Sequence, residues 1–364
     1  MKQLIGVALC LAVWLCCVPV AWGAEEGDAL QELNRALPYE AREILGDFDP
    51  LEGGWETGMA ALVEKGREEA GRLLRRALGS GAALLLIVLL CDGAKLLYFR
   101  EKDSRLLQCV TLTGALAVVL LSAGGISEMI GLGAETIHMM NDFSKTLLPL
   151  LSAACAASGS VTAAAVREVG TTLFADVLVT CINQLLLPLV YIYIGAITAN
   201  AVLHEHSLQK IAQCIKKGIT WMLTILLTVF TAYLTISGAV SGTADAAVKV
   251  AKFAISGAVP VVGGILSDAA STILVGAAVL KNAIGVFGTL AVFALCLTPF
   301  LQIGVQYLMY KAAAFLAEVV DQTGLSGLIG EIGGAFGMVL GMTGACALLL
   351  IISLITSVSA VMPV

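Results

Sequence analysis

The chain has 364 residues, 59% of them hydrophobic and 13% charged, with a mean hydropathy of +0.93. A soluble domain carries about a quarter charged residues, so much of this surface faces something other than water. Several apolar runs reach the roughly 20 residues that cross a bilayer as helix, which excludes a soluble protein with a single anchor.

The formal charge of −6 is unevenly spread: thirteen acids face four bases between Glu25 and Glu69. That segment is no nucleic-acid surface. Of ten cysteines, Cys10, Cys16 and Cys17 sit in the N-terminal apolar run, and the others are scattered singly without CxxC spacing. They read as small apolar packing residues.

In chain order, residues 1–23 read as a signal peptide. Lys2 supplies the positive start, Leu4–Val20 the apolar stretch and Ala21-Trp22-Gly23 a small-x-small cleavage site. Residues 24–78 read as an exported acidic helical region. Leu30, Leu33 and Leu37 recur at helical spacing. From Trp55, the set Met59, Leu62, Val63, Ala70, Leu73, Leu74 and Ala77 follows one helical face. That face suits a partner, the membrane surface or the chain's own bundle.

Residues 79–364 read as a polytopic membrane domain. The first span is Gly79–Phe99 and the second Leu106–Ala123, with the basic-leaning loop Arg100–Arg105 between them on the cytoplasmic side. Because lipid offers no partner to backbone amides and the apolar spacing is helical, the fold class is an all-α bundle of transmembrane helices.

Pro149 and Pro188 are 39 residues apart, as are Pro260 and Pro299, and both pairs are related by an offset of 111. This offset suggests internal duplication, with repeats 106–203 and 217–314. Each repeat would hold a span, an amphipathic stretch, a short segment opened by proline and a long helix interrupted by proline. The four prolines are candidate hinges, and Leu148–Val166 is a candidate re-entrant segment. Lys145, Arg167, Lys249, Lys252 and Lys281 then need non-cytoplasmic or buried places. The chain closes with a Gly-rich helix over residues 333–361, where Gly333, Gly337, Gly341 and Ala345 form a small-xxx-small row suited to close helix packing.

Charges inside spans are the best functional pointers, because each costs several kcal/mol unless matched or hydrated. Asp92 and Lys95 lie three apart in the first span, where they either pair or snorkel. Asp176 and Asn183 share a helical face that should turn from lipid. Asp268, Lys281 and Asn282 occupy the corresponding part of the second repeat, and Lys281-Asn282 interrupts an otherwise apolar run. Helices broken at membrane depth expose the dipoles that transporters use to bind substrates, so this set is the candidate transport site. The alternative is a surface loop.

No catalytic constellation is legible. His204-Glu205-His206 places two ligand types two apart, which is off one helical face, and His138 stands alone. There is no Walker loop, GxSxG elbow or HExxH. The expectation is a non-enzyme with no cofactor and no metal.

Pro260-Val261-Val262-Gly263-Gly264, then Ser267-Asp268-Ala269, then Lys281-Asn282-Ala283-Ile284-Gly285 closely resemble the stage III sporulation protein AE family of endospore-forming bacteria. The similarity extends over nearly the whole chain. It departs at Glu318-Val319-Val320-Asp321, where the family pattern would place a proline.

The resemblance implies a membrane subunit in the mother-cell membrane around the forespore, within a channel or secretion complex needed for forespore development. The implied partners are ring-forming membrane subunits, a cytoplasmic secretion-type ATPase and a forespore-side protein, besides membrane lipid. A permease-like part is one implied role. A scaffold that recruits the other subunits is the alternative. The family supplies no ligand or catalytic residues to carry over.

Overall fold

The computed structural model describes residues 33–35, 37–45, 55–97, 104–158, 161–203, 206–256, 263–320 and 324–359, with side chains left undescribed over 238–278 and at a few helix ends. The expected signal peptide, Pro260 and His204-Glu205 lie outside the described residues. Among those described, there is no strand.

The helices are α1 (Tyr39–Leu45), α2 (Trp55–Leu97), α3 (Ser104–Ala157), α4 (Val161–Cys181), a π turn (Ile182–Leu186), α5 (Leu187–Leu203), α6 (His206–Ser256), α7 (Gly263–Glu318) and α8 (Leu325–Ser359). Among the described residues, six stretches are long and apolar enough to cross a membrane by length and composition. The chain is a multi-pass, all-α membrane protein.

Helices run longer than the sequence divides them. The expected second span, the amphipathic stretch and the opening of the next segment form one helix of 54 residues, with Pro149 inside it. The helix over Gly263–Glu318 likewise continues through Pro299. A proline removes one i→i−4 bond, but in lipid the remaining backbone groups have no partner except their own helix. Neither residue therefore ends its helix. Pro188 differs, because it is the second residue of α5, just past the π turn whose i→i+5 pattern is marked by the Leu187 N–H bonding Ile182 O.

α7 and α8 form the centre. Antiparallel to α7 runs α3: the Tyr310 hydroxyl bonds Ser122 Oγ at 2.9 Å, Cys296 Sγ meets Met140 Sδ at 3.1 Å, and Gly288 faces Leu147. Parallel to α3 runs α8, with Gly133 on Val339 and Cys155 on Ser357. α2 runs parallel to α7, placing Gly58, Gly66 and Gly81 on Leu290, Leu297 and Met309. The largest fully buried side chains include Tyr193, Phe143, Phe230 and Phe336.

α2 is continuous across residue 78, so the charged half expected outside the membrane is an extension of the first span. Leu62 and Ala77 of its apolar face are buried, while Val63 and Leu74 are exposed. The chain's own bundle therefore takes the face that could have served a partner. Leu33 and Leu37 are buried as their spacing implies. Arg42 ties that segment down by donating to the carbonyls of Asn34, Arg35 and Leu37 at 2.7, 3.0 and 3.1 Å.

α6 shows how a threonine-rich sequence can make a lipid-facing span. Thr220, Thr224, Thr228, Thr231 and Thr235 are exposed, and each hydroxyl donates to the carbonyl four residues earlier at 2.7–3.0 Å. Back-bonding satisfies the hydroxyl inside its own helix, so the helix can show that face to hydrocarbon.

At the departure from the family pattern, α7 ends without a proline. The Val320 N–H closes on Ala317 O at 3.0 Å, and Gly324, at φ 78°, turns the chain into α8. A positive φ suits glycine because it lacks a Cβ.

A buried polar centre at the end of α8

Lys281 is 3% exposed, and its Nζ donates to Val358 O at 2.6 Å. The last four carbonyls of a helix have no partner within it, and Val358 is the penultimate residue of α8. Lys281 therefore caps the C-terminus of α8 from α7, where a cation also complements the negative end of the helix dipole. The Cys155 thiol of α3 approaches the preceding carbonyl, Ser357 O, at 3.7 Å.

Around this cap, α4 brings Arg167, which is 8% exposed, and Glu168, whose carboxylate takes the Ser152 hydroxyl of α3. Lys281 and Arg167 both act electrostatically on the Cys155 side chain. One turn further, Thr171 and Ser353 bond at 2.7 Å and join α4 to α8. The space among Ser152, Cys155, Arg167, Glu168, Ser353 and Ser357 is about 10 Å³, room for one water at most. Among the described residues, the arrangement is a polar knot joining four helices.

Of the other sequence-derived candidates, those whose side chains are described do not gather here. Asp268 lies on the first part of α7, where side chains are outside the described set. Asn282 is exposed beside Lys281. Asp92 is buried and Lys95 half-buried near the end of α2. Asp176 is exposed, because the covered face of α4 is the one carrying Thr171, Ala175, Leu178 and Val179. Asn183 is half-buried in the π turn and bonds His138 Nε2 at 2.9 Å, so the isolated histidine has a partner across helices.

The small-residue row divides. Gly333 packs on Tyr310 and the backbone of Lys311, Gly337 lies under the Tyr307 ring, and Ala345 is buried, whereas a Cβ on Gly341 would meet nothing within 4 Å.

A second polar junction was not read from the sequence. The buried Tyr193 hydroxyl of α5 bonds the Glu331 carboxylate and lies 2.9 Å from its carbonyl, while Lys216 of α6 is 3.3 Å from the same carboxylate. Lys311 of α7 donates to Gly330 O at 2.7 Å. The missed signal was Glu331, an acid inside an otherwise apolar Gly-rich helix. Hydrogen bonds to charged groups contribute about 1.5–3 kcal/mol. Tyr193→Phe should therefore destabilise the purified protein in detergent, read as a lower melting temperature; an unchanged melt would mean the junction contributes nothing.

Among the described residues, no three His, Cys, Asp or Glu side chains are grouped to hold a metal ion.

The comparisons with known proteins agree with one another. The stage III sporulation protein AE of Bacillus subtilis (strain 168) is 22% identical over 236 residues, covering 65% of this chain and 59% of that protein. The match thus spans about three-fifths of that relative's length. No solved structure matches. The family model for stage III sporulation protein AE matches residues 70–361, and with most of its length inside that match the chain belongs to the stage III sporulation protein AE family.

Proposed function

We propose that this protein is a core membrane subunit of a channel or secretion complex linking mother cell and forespore during sporulation, without catalysis of its own. Its place would be the mother-cell membrane around the forespore. Its partners would be ring-forming membrane subunits, a cytoplasmic secretion-type ATPase and a forespore-side protein. Family membership supports the sporulation role.

The observation that carries the subunit reading is a charged belt. Glu128, Glu135, Asp142 and Lys145 of α3 face outward, as do Asp176 of α4 and Gln184 of the π turn. Met140 meets Cys296 and the neighbouring Leu297 meets Gly66, so the charged half of α2 lies at the same height. From Glu128 to Lys145 these charges spread over roughly 25 Å of α3 at 1.5 Å per residue, and charges exposed along that much of an apolar bundle face water or another protein, since lipid contact is costly. A permease-like passage would then run between this chain and its partners.

The test is a heat-resistant spore count with Glu128, Glu135 and Asp142 all changed to Lys, beside a strain lacking the gene. The strain without the gene should arrest after engulfment with a small forespore. The triple variant should reach the membrane normally, yet fail to co-purify its partners and form few spores. Wild-type counts from the triple variant would remove the belt from the account, and wild-type counts from the null strain would remove the complex.

The polar knot beside Lys281, whose cavity among the described residues is only about 10 Å³, favours a second reading: a scaffold that recruits the other subunits and passes nothing. Substitutions at Lys281 separate the two.

A further inference from the structure

A groove runs between α6 and the α7–α8 pair, with a volume of about 660 Å³, within the range of small-ligand sites. Lys216 and Lys311 stand at one end, Thr220 and Thr224 on one wall, and Gly337 and Gly341 opposite. Beyond the lysines the lining turns apolar through Leu223, Leu227, Phe300 and Leu348. Thr220, Thr224, Phe300, Gly341 and Leu348 are exposed, so the groove opens sideways onto the surface of a membrane-spanning bundle.

From this chemistry we infer that the groove is a binding site for one anionic phospholipid, its phosphate on the lysines and an acyl chain along the glycine floor. The charge at the mouth favours an anion: among the described residues, Lys216, Lys311 and the adjoining exposed Lys217 are offset by Glu331, which leaves two positive charges. Basic pockets between transmembrane helices bind such headgroups. From Gly334 to Leu348 the floor is 14 residues along α8, roughly 21 Å at 1.5 Å per residue. That exceeds half the bilayer core of about 30 Å, the depth of one leaflet.

A helix of a second copy fits this place poorly. Small-residue rows receive helices by letting backbones approach, but the Tyr307 ring lies 3.0 Å from a Cβ built on Gly337, and Phe300 lies 3.5 Å from one on Gly344. Those aromatic rings hold the backbone of any visitor away, while a flexible chain can pass between them. Gly341 is where open space remains. The inference stands whether or not the channel-complex reading does.

The test uses the full chain, purified in neutral detergent and titrated with phosphatidylglycerol, phosphatidylcholine or inorganic phosphate, with bound lipid counted by native mass spectrometry. The wild type should retain one phosphatidylglycerol at concentrations where phosphatidylcholine is not retained, and millimolar inorganic phosphate should not displace it. Gly341→Leu fills the groove where nothing is in the way and should cut retention at least five-fold with unchanged elution. Lys216→Gln combined with Lys311→Gln should do the same from the headgroup end. Equal retention of both lipids, displacement by inorganic phosphate alone, wild-type retention in both variants, or a dimer mass that excludes lipid would each overturn the site.

Discussion

Gly133→Leu should leave little folded protein in the membrane, while Gly131→Leu, two residues away on the same helix, should be tolerated. A Cβ on Gly133 would lie 2.4 Å from Val339 Cγ1, with Thr343 and Ile303 close behind, whereas one on Gly131 meets nothing within 4 Å. Val339 cannot step aside, because a β-branched side chain has essentially one χ1 rotamer in a helix and this one is 1% exposed. The new atoms must separate α3 from α8 where both meet α7. Overpacking of a close-packed core typically costs about 1–3 kcal/mol, occasionally more. The measurement is the amount of monodisperse protein extracted from membranes, compared between the two variants. Equal yields would show that the α3–α8 approach is looser than drawn.

Lys281 carries the second large effect. Lys281→Ala takes the cap from Val358 O and empties the volume of the stem. A buried carbonyl left without its bond costs about 1–3 kcal/mol, and the lost charge–dipole interaction adds about 0.3–1 kcal/mol. Relief from burying a charge offsets part of this. The alanine variant should therefore melt earlier and accumulate less. Lys281→Met retains most of the stem without the charge, so it should fold better than alanine. If Lys281 serves only as a cap, sporulation in the methionine variant should follow its protein level and stay near wild type. If the ammonium group acts on something that passes through the complex, methionine should abolish spores while protein stays at wild-type abundance. Spore counts beside immunoblots of the membrane fraction decide between these outcomes.

Helix content and multi-pass character were legible because apolar runs of spanning length have few alternatives in lipid. The breaks were harder to read. Proline is a dependable stop in water, yet Pro149 and Pro299 sit inside helices because the hydrocarbon penalises any opened backbone more than it penalises one lost bond. Lys281 stood out as a charge in an apolar run, but its acceptor lies 77 residues further on, beyond any local pattern. Arg167 was flagged only as a violation of the charge rule, and its place beside Cys155 and Glu168 depends on how α4 returns against α3. The glycine row announced itself by spacing and is packed at three of its four positions, Gly341 being the open one. Gly133 and Gly285, which meet Val339 and Val358 more tightly, belong to no visible row because each faces a helix distant in sequence.

The unbroken course of α2 has a mechanical corollary. Its 43 residues make a rod of about 65 Å at 1.5 Å per residue, seated on α7 at Gly58, Gly66 and Gly81. Such a rod works as a lever: with no joint to absorb rotation, a push at the Trp55 end reaches the Leu97 end as tilt or translation of the whole shaft. Whatever grips the charged end of α2 thereby acts on the chain that follows Leu97.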